Sequence, residues 1–419
     1  MDARPSLLGT FWNDKAMQPV LLALVLMPPI LAVWTYLDHS LLRYRVGGYR
    51  ALCLLTGLLF ISLQWQKLPL QRPKPATLAA CCVFGLVLFA TLFSVSVSRV
   101  PAEAYLARNL VLLLFAWFLY SAYARSSCDQ RNALFAAVLG GSTLFLIVML
   151  AVIAIHAGDA SYNWENFWVG VTHTRHIGYV TTIHVAIAAA LFGLSRNRNE
   201  RIAFAAMLLL GLTVANIAGG RAAIVAGLIT AIVCAAMADP QRRRANLTWV
   251  VALFAVSLPL SLIHVPPHPL WGVGRLAATT MGEAVNGGFA NSRELLWMRA
   301  VEVIPQHPWL GWGEGQFRRL QEGIWKANHP HNVVLQALVS YGIIGSLALF
   351  WLVWSSIGRS LARVWHDPAG HLVPLAVIFG LALLSLTDGP LFYQGPLQVF
   401  VMACVMARLA GNKGAAVPT

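Results

Sequence analysis

Asn132–His156 reads NALFAAVLGGSTLFLIVMLAVIAIH, 25 residues without one charged side chain. As a helix rising about 1.5 Å per residue, it is long enough to cross a hydrocarbon layer about 30 Å thick. Comparable apolar runs lie on both sides of it. The spans expected from them are 17–37, 50–65, 76–95, 104–123, 132–156, 176–194, 202–217, 221–237, 246–264, 332–356, 371–387 and 392–409. The whole chain of 419 residues is 58% hydrophobic and 11% charged, with a mean hydropathy of +0.66. A soluble domain cannot bury so much apolar surface, whereas a bilayer solvates it. Segments of about ten residues with alternating polarity are absent, which argues against a β-barrel. The sequence therefore predicts an all-α polytopic membrane protein with about twelve transmembrane helices, forming a single integral membrane domain over residues 1–419.

The net charge of +14 invites a nucleic-acid reading. Basic residues flanking spans beside anionic membrane lipids account for it better, and they also suit an anionic substrate. No nucleic-acid partner is expected. Cys53, Cys81, Cys82, Cys128, Cys234 and Cys404 form neither a zinc spacing nor a disulfide framework. The first apolar run reads as an anchor with no removed signal peptide.

With the N-terminus inside, the basic residues sort by side. Lys67, Arg72, Lys74, Arg125, Arg131, Arg196, Arg198, Arg201, Arg242, Arg243, Arg244, Arg359, Arg363, Arg408 and Lys413 fall on the inner side. Arg43, Arg45 and Arg50 are the exception, on an outer loop. Residues 265–330 then form one large outer loop between the ninth and tenth spans. Its charges balance: Arg275, Arg293, Arg299, Arg318, Arg319 and Lys326 against Glu283, Glu294, Glu302, Glu314 and Glu322. Asn291 with Glu294 resembles a helix N-cap pair. Trp297, Ala300, Val301 and Ile304 follow at helical spacing, and Pro305 ends that helix. Gly311–Trp312–Gly313–Glu314–Gly315 reads as a tight turn. A structured loop with short helices is expected.

The chemistry-bearing residues gather at the mouth of the tenth span, in Asn328–His329–Pro330–His331–Asn332. Pro330 suits a first helical turn, which places His331 at a helix N-terminus. There the dipole disfavours imidazolium, so the ring is expected to be a neutral base, and free N–H groups favour a phosphate. A base beside an anion site is what glycosyl transfer from a lipid diphosphate needs: the leaving group is good and the acceptor hydroxyl is weak. A helix-capping histidine is the plainer alternative; His329 and the arginines weigh against it. Arg221, in Ala218–Gly219–Gly220–Arg221–Ala222, lies where an arginine is costly and normally functional, against the alternative of snorkelling to headgroups. Arg293, at the start of the loop helix, is a second phosphate ligand candidate; taken alone, a solvated loop charge is the plainer alternative. Arg175, in Thr172–His173–Thr174–Arg175–His176, is either a phosphate contact or an interface anchor. Gly342 lies eleven residues after His331, on the same face of a continuous helix, with Gly345 following; both are read as close-packing positions. Trp164, Trp168, Trp271, Trp297, Trp309, Trp312 and Trp325 fit an interfacial belt as well as a sugar site. No Asp-x-Asp pair occurs, so metal-independent chemistry without cofactors is expected, the arginines neutralising the charge. Walker and dinucleotide motifs are absent too.

His331–Asn332, nine residues, then Gly342 resembles the signature of the O-antigen ligase and polymerase superfamily. So do Asn291–Ser292–Arg293–Glu294–Leu295–Leu296–Trp297, the run His307–Pro308–Trp309–Leu310–Gly311–Trp312–Gly313, and Arg221 after small residues. The motifs cover roughly 215–350; the preceding half resembles the family only in span pattern. The resemblance implies a metal-independent, inverting glycosyltransferase of the GT-C fold in a bacterial inner membrane, its site facing the periplasm. It implies a glycan moved from undecaprenyl diphosphate to a sugar of lipid A–core. His331 would be the general base, with Arg221 and Arg293 on the diphosphate and His329, Asn332 and Gly342 in support; Arg175 is added on physical grounds. Gly219–Gly220 depart from the commoner serine-containing version. Within the same chemistry, an O-antigen polymerase or a protein O-oligosaccharyltransferase remains open. A secondary transporter is the rival of another class, and the lack of two related halves speaks against it.

Overall fold

The computed structural model describes residues 17–38, 46–94, 99–164, 169–171, 173–268, 271–272, 291–321 and 327–411. Among them there is no strand. The long helices are α1 (Gln18–Leu37), α2 (Val46–Trp65), α3 (Pro75–Ser94), α4 (Arg99–Tyr123), α5 (Cys128–Ile155), α6 (Thr174–Leu194), α7 (Arg198–Ala218), α8 (Arg221–Ala238) and α9 (Arg243–Leu260). They continue with α10 (Asn291–Val303), α11 (Val333–Arg363), α12 (Pro368–Ser385) and α13 (Gln394–Gly411). Each expected apolar run falls on one of these helices, and α10 is the loop helix. Among the described residues, nine helices are long and apolar enough to cross a membrane. The other three expected spans fall short for visible reasons. The apolar part of α2 is brief, Ala51–Trp65; α9 opens on Arg243 and Arg244, and α13 carries Gln394, Gln398 and Arg408. The chain is a polytopic helical membrane protein. Large apolar side chains such as Leu86, Phe93 and Leu347 stand exposed on its outside, as lipid contact requires. The expectations on Arg43, Arg45, Trp168, Thr172, Arg275, Glu283, Glu322, Trp325, Lys326 and Lys413 lie outside the described residues, as does the side chain of Asn291.

The centre of the bundle is α6, buried along nearly its whole length. Small residues let it sit tightly against α8. A Cβ added at Gly178 would lie 2.8 Å from the Ala223 Cβ, and one at Gly193 would lie 2.5 Å from the Ala238 Cβ. Lipid offers no hydrophobic drive between helices, so this close van der Waals seam is what holds them. Gly178 is three residues past Arg175 and Ala223 two past Arg221, so the same seam sets the two arginine-bearing helix starts side by side.

α11 is not continuous. Gly342 has φ +59 and ψ −166 inside it, a conformation essentially reserved for glycine. The loop before the helix threads its backbone into the break. Ile343 N–H donates to Pro308 O at 2.8 Å and Ile344 N–H to Trp309 O at 3.2 Å, while Trp312 N–H donates to Val339 O at 2.8 Å and Gly313 N–H to Ser340 O at 3.1 Å. The expectation of one unbroken face from His331 to Gly342 is therefore corrected: Gly342 is a splice point, packed against a loop backbone. Gly345 does pack on a helix, its Cβ position 2.9 Å from Val87 Cγ1 of α3. The 311–315 turn is as tight as expected, with positive φ at Gly311, Gly313 and Gly315.

α10 runs where the periodicity puts it, with a 3-10 turn at Ile304–Gln306 holding Pro305. Its inner face is Leu296, Ala300 and Val303, packed with Phe317 and Val339. Val301 points outward instead, because helical phase favours residues spaced 296, 300, 303 once Leu296 is the anchor.

Candidate functional site

The site forms where the starts of α6, α8 and α11 meet the end of α12. Arg175 is in the first turn of α6, rather than in the loop before it, and Arg221 opens α8. Gly219, with φ +63, ends α7, and Gly220 then starts α8. The glycine pair thus turns the chain in two residues.

Helix α11 begins at Val333, later than Pro330 suggests. Its N-cap is Asn332, whose Oδ1 accepts from Val334 N–H at 3.0 Å and Leu335 N–H at 3.1 Å. Asn332 also donates through Nδ2 to Leu386 O at 3.2 Å, tying α11 to the end of α12. His331 lies one residue outside the cap with φ +55, a left-handed conformation costly for a non-glycine residue. Three contacts hold it there. His331 N–H donates to His329 Nδ1 at 3.2 Å, Trp297 Nε1 of α10 donates to Pro330 O at 2.9 Å, and His331 Nδ1 meets Asp388 Oδ1 at 2.9 Å.

Asp388 organises the site, and the sequence reading misses it. Its Oδ1 also accepts from the Tyr179 hydroxyl at 2.8 Å and from Gly389 N–H at 2.8 Å. Its Oδ2 faces Arg293 Nη2 at 3.8 Å. Burial would raise this carboxyl. The His331 hydrogen bond and charge, then the Tyr179 and Gly389 bonds, outweigh it and hold Asp388 well below the usual carboxylate range. An ionised Asp388 is acceptor only, so the proton of a neutral His331 ring sits on Nδ1 and Nε2 keeps its lone pair. The partner that orients His331 is therefore a carboxylate, which the sequence reading does not assign.

The three arginines converge here. Burial lowers Arg293; Asp388 opposes that shift, and the charges of Arg175 and Arg221 add to it. Arg175 also acts on Tyr179 and on His329. Burial, followed by the charge of His331, pushes His329 well below the ordinary histidine range, so its ring is neutral. His329 lies 4.2 Å from the His331 ring and 4.7 Å from Phe392. His176 and Tyr179 close on Tyr393 at 4.3 and 5.5 Å. Gly389 is needed beneath this aromatic wall, since a Cβ there would lie 1.9 Å from His329 Cε1. One signal could have exposed Asp388: an Asp-Gly-Pro at the end of an apolar span, where an acid is expensive without a task. Tyr179, one turn after Arg175 on a buried helix, carries no comparable signal. Trp164 and Trp271 are buried against one another, with Trp271 Nε1 donating to Trp164 O at 2.8 Å.

A buried ion pair braces the wall from behind. Arg108 of α4 pairs with Glu314 and donates from Nη1 to Phe392 O at 3.1 Å; Asn109 Nδ2 holds the other Glu314 oxygen at 2.7 Å. The loop turn, α4 and the Asp388–Tyr393 segment are thereby joined.

Fold and site together define a multi-pass helical membrane protein with a histidine–carboxylate pair and three arginines gathered at one end of the bundle. Residues 204–350 match the family model described as O-antigen ligase. An O-antigen ligase of Pseudomonas aeruginosa is 34% identical over 119 residues. That similarity covers 27% of this chain and 28% of the relative. The matched stretch contains Arg221, Arg293, His331, Asn332 and Gly342; Arg175, Tyr179 and Asp388 lie outside it.

Proposed function

We propose that this protein is a glycosyltransferase acting as an O-antigen ligase. It moves a glycan from undecaprenyl diphosphate to a sugar hydroxyl of lipid A–core, in the bacterial inner membrane with its site facing the periplasm. Residues 1–419 then form one membrane domain of the GT-C type with twelve spans, and 265–330 are its periplasmic loop. The observation that carries the reading is the contact of His331 Nδ1 with Asp388 at 2.9 Å while Arg293 approaches the same carboxylate. A base and an anion-binding cluster share one corner of the bundle.

In the proposed reaction Arg175, Arg221 and Arg293 grip the diphosphate, helped by the positive ends of α6, α8 and α11. His331 Nε2 takes the proton of the acceptor hydroxyl, and Asp388 stabilises the imidazolium that forms. The freed oxygen attacks the anomeric carbon from the face opposite the diphosphate. The bond to the diphosphate oxygen breaks with its electron pair on that oxygen, and configuration inverts. The guanidinium groups neutralise the leaving charge, so no metal or other cofactor is assigned a part.

The test incubates purified protein with the lipid-diphosphate glycan and either lipid A–core or a pilin-like protein. Sugar on lipid A–core supports the ligase, on pilin the protein oligosaccharyltransferase, and on a second lipid-linked glycan the polymerase. His331→Ala should abolish transfer while leaving expression and folding intact; normal transfer by that variant would remove His331 as the base.

A further inference from the structure

Asp388 offers its two oxygens unequally. Oδ1 takes three hydrogen bonds, from His331, Tyr179 and Gly389. Oδ2 has Arg293 Nη2 at 3.8 Å, beyond a formed hydrogen bond. The same protein shows what a committed arginine–carboxylate pair looks like: Arg108 and Glu314 are in direct contact, and Asn109 holds the second oxygen. Arg293 is attracted to Asp388 without being locked to it. Its side chain retains 28% exposure against 8% for Asp388, and it projects from α10, a helix outside the bundle core. It is the more exposed member of the pair.

We infer that Arg293 exchanges Asp388 for the donor's diphosphate during the cycle, and that this exchange makes His331 a stronger base only when donor is bound. The inference rests on the functional reading above. At rest the Arg293 cation offsets part of the Asp388 charge that acts on His331. On the diphosphate, Arg293 is neutralised by phosphate, and the whole carboxylate charge falls on the imidazole. Among the described residues, the groups around His331 are His329 of its own segment, Asp388 and Tyr393, then Arg175, His176 and Tyr179 of α6, Arg293 of α10, and Arg221 beside Arg293. Of these Asp388 is the one carboxylate, so the cations sharing it set the strength of the base. The acceptor hydroxyl is then activated only with a sugar in place to receive it.

The experiment is a double-mutant cycle on undecaprenyl diphosphate binding. The full-length protein is held in nanodiscs of phosphatidylethanolamine and phosphatidylglycerol, as wild type, Asp388→Asn, Arg293→Ala and the double variant. Asp388→Asn frees Arg293 from its resting partner, so affinity should rise by up to about fivefold, the size of one partly exposed ion pair given up. In the Arg293→Ala background the same substitution should change affinity by less than about twofold, the ordinary limit of independent sites. Equal tightening in both backgrounds would mean plain repulsion and overturn the exchange, as would no tightening with Arg293 present. A second readout uses the unsubstituted protein, so a misfolding Asp388 variant decides nothing: the pH midpoint of His331 carbethoxylation, read by mass spectrometry. It should lie higher with undecaprenyl diphosphate bound, and an unmoved midpoint overturns the inference. Failure of the functional reading looks different: Arg293→Ala would bind the lipid unchanged and His331→Ala would still transfer glycan.

Discussion

Gly342→Ala tests the splice between the loop and α11. A methyl group there would lie 2.4 Å from the Trp309 carbonyl carbon and 2.5 Å from both Trp309 O and Gly311 N. All three are backbone atoms, so no side chain can swing aside. The conformation at φ +59, ψ −166 costs an alanine about 1–3 kcal/mol by itself. Relief of the clash requires the loop to leave, which removes up to four backbone hydrogen bonds at about 1 kcal/mol each. Undocking relieves both strain and clash, so the expected loss is capped at about 4 kcal/mol of local docking free energy. Undocking also draws Glu314 away from Arg108, so thermal stability should fall together with docking. Hydrogen exchange of the Trp312, Gly313, Ile343 and Ile344 amides should accelerate by about a hundredfold or more, since each 1.4 kcal/mol is a factor of ten. Glycan transfer should fall with it, because the undocked loop no longer brings α10 and Arg293 to His331. Gly57→Ala is the control, with nothing within 4 Å of its Cβ position. Wild-type exchange at those four amides in Gly342→Ala would refute the argument.

Gly178→Val should force α6 from α8, because its Cβ position is already 2.8 Å from Ala223; lipid-diphosphate binding should weaken at least tenfold as Arg175 and Arg221 separate, and unchanged binding would show that the seam does not set their spacing. Glu314→Ala leaves Arg108 buried without its carboxylate and should lower stability by about 3–5 kcal/mol, readable as a loss of thermal stability in detergent that a surface control such as Glu302→Ala does not share. His329 has a folded pKa well below its ordinary value, so the unfolded chain binds the extra proton. Stability from that group is full above about pH 6.5 and is lost as pH falls, by at most about 1.4 kcal/mol per pH unit. Melting curves of His329→Gln should show a shallower decline between pH 6.5 and 5; a slope equal to that of the wild type would contradict the buried neutral ring.

Much of the fold is legible in the order of residues alone. Long apolar runs announce helices in lipid because each backbone group must find its partner within its own segment, so chain order and approximate limits follow locally. Arg221 stands out because charge near hydrocarbon is costly, and His331 because it sits at the mouth of a span, whereas Arg293 gains its weight from the resemblance. The features that escape such reading share one cause. Gly342 reads as a helix position since glycine spacing looks the same whether its neighbour is a helix or a threaded loop. The face of α10 is ambiguous at Val301, where several apolar residues have equal local claims.

The residue types and their periodicity determined a helical membrane protein with base and cation candidates near the loop. Which carboxylate serves His331 was decided only in three dimensions. Asp388 is fifty-seven positions along the chain from His331, and Tyr179 lies 209 from Asp388. Hydropathy and spacing are properties of neighbours in sequence, whereas a 2.9 Å hydrogen bond between the end of α12 and the cap of α11 exists only once α6, α8 and the loop have packed to bring them together.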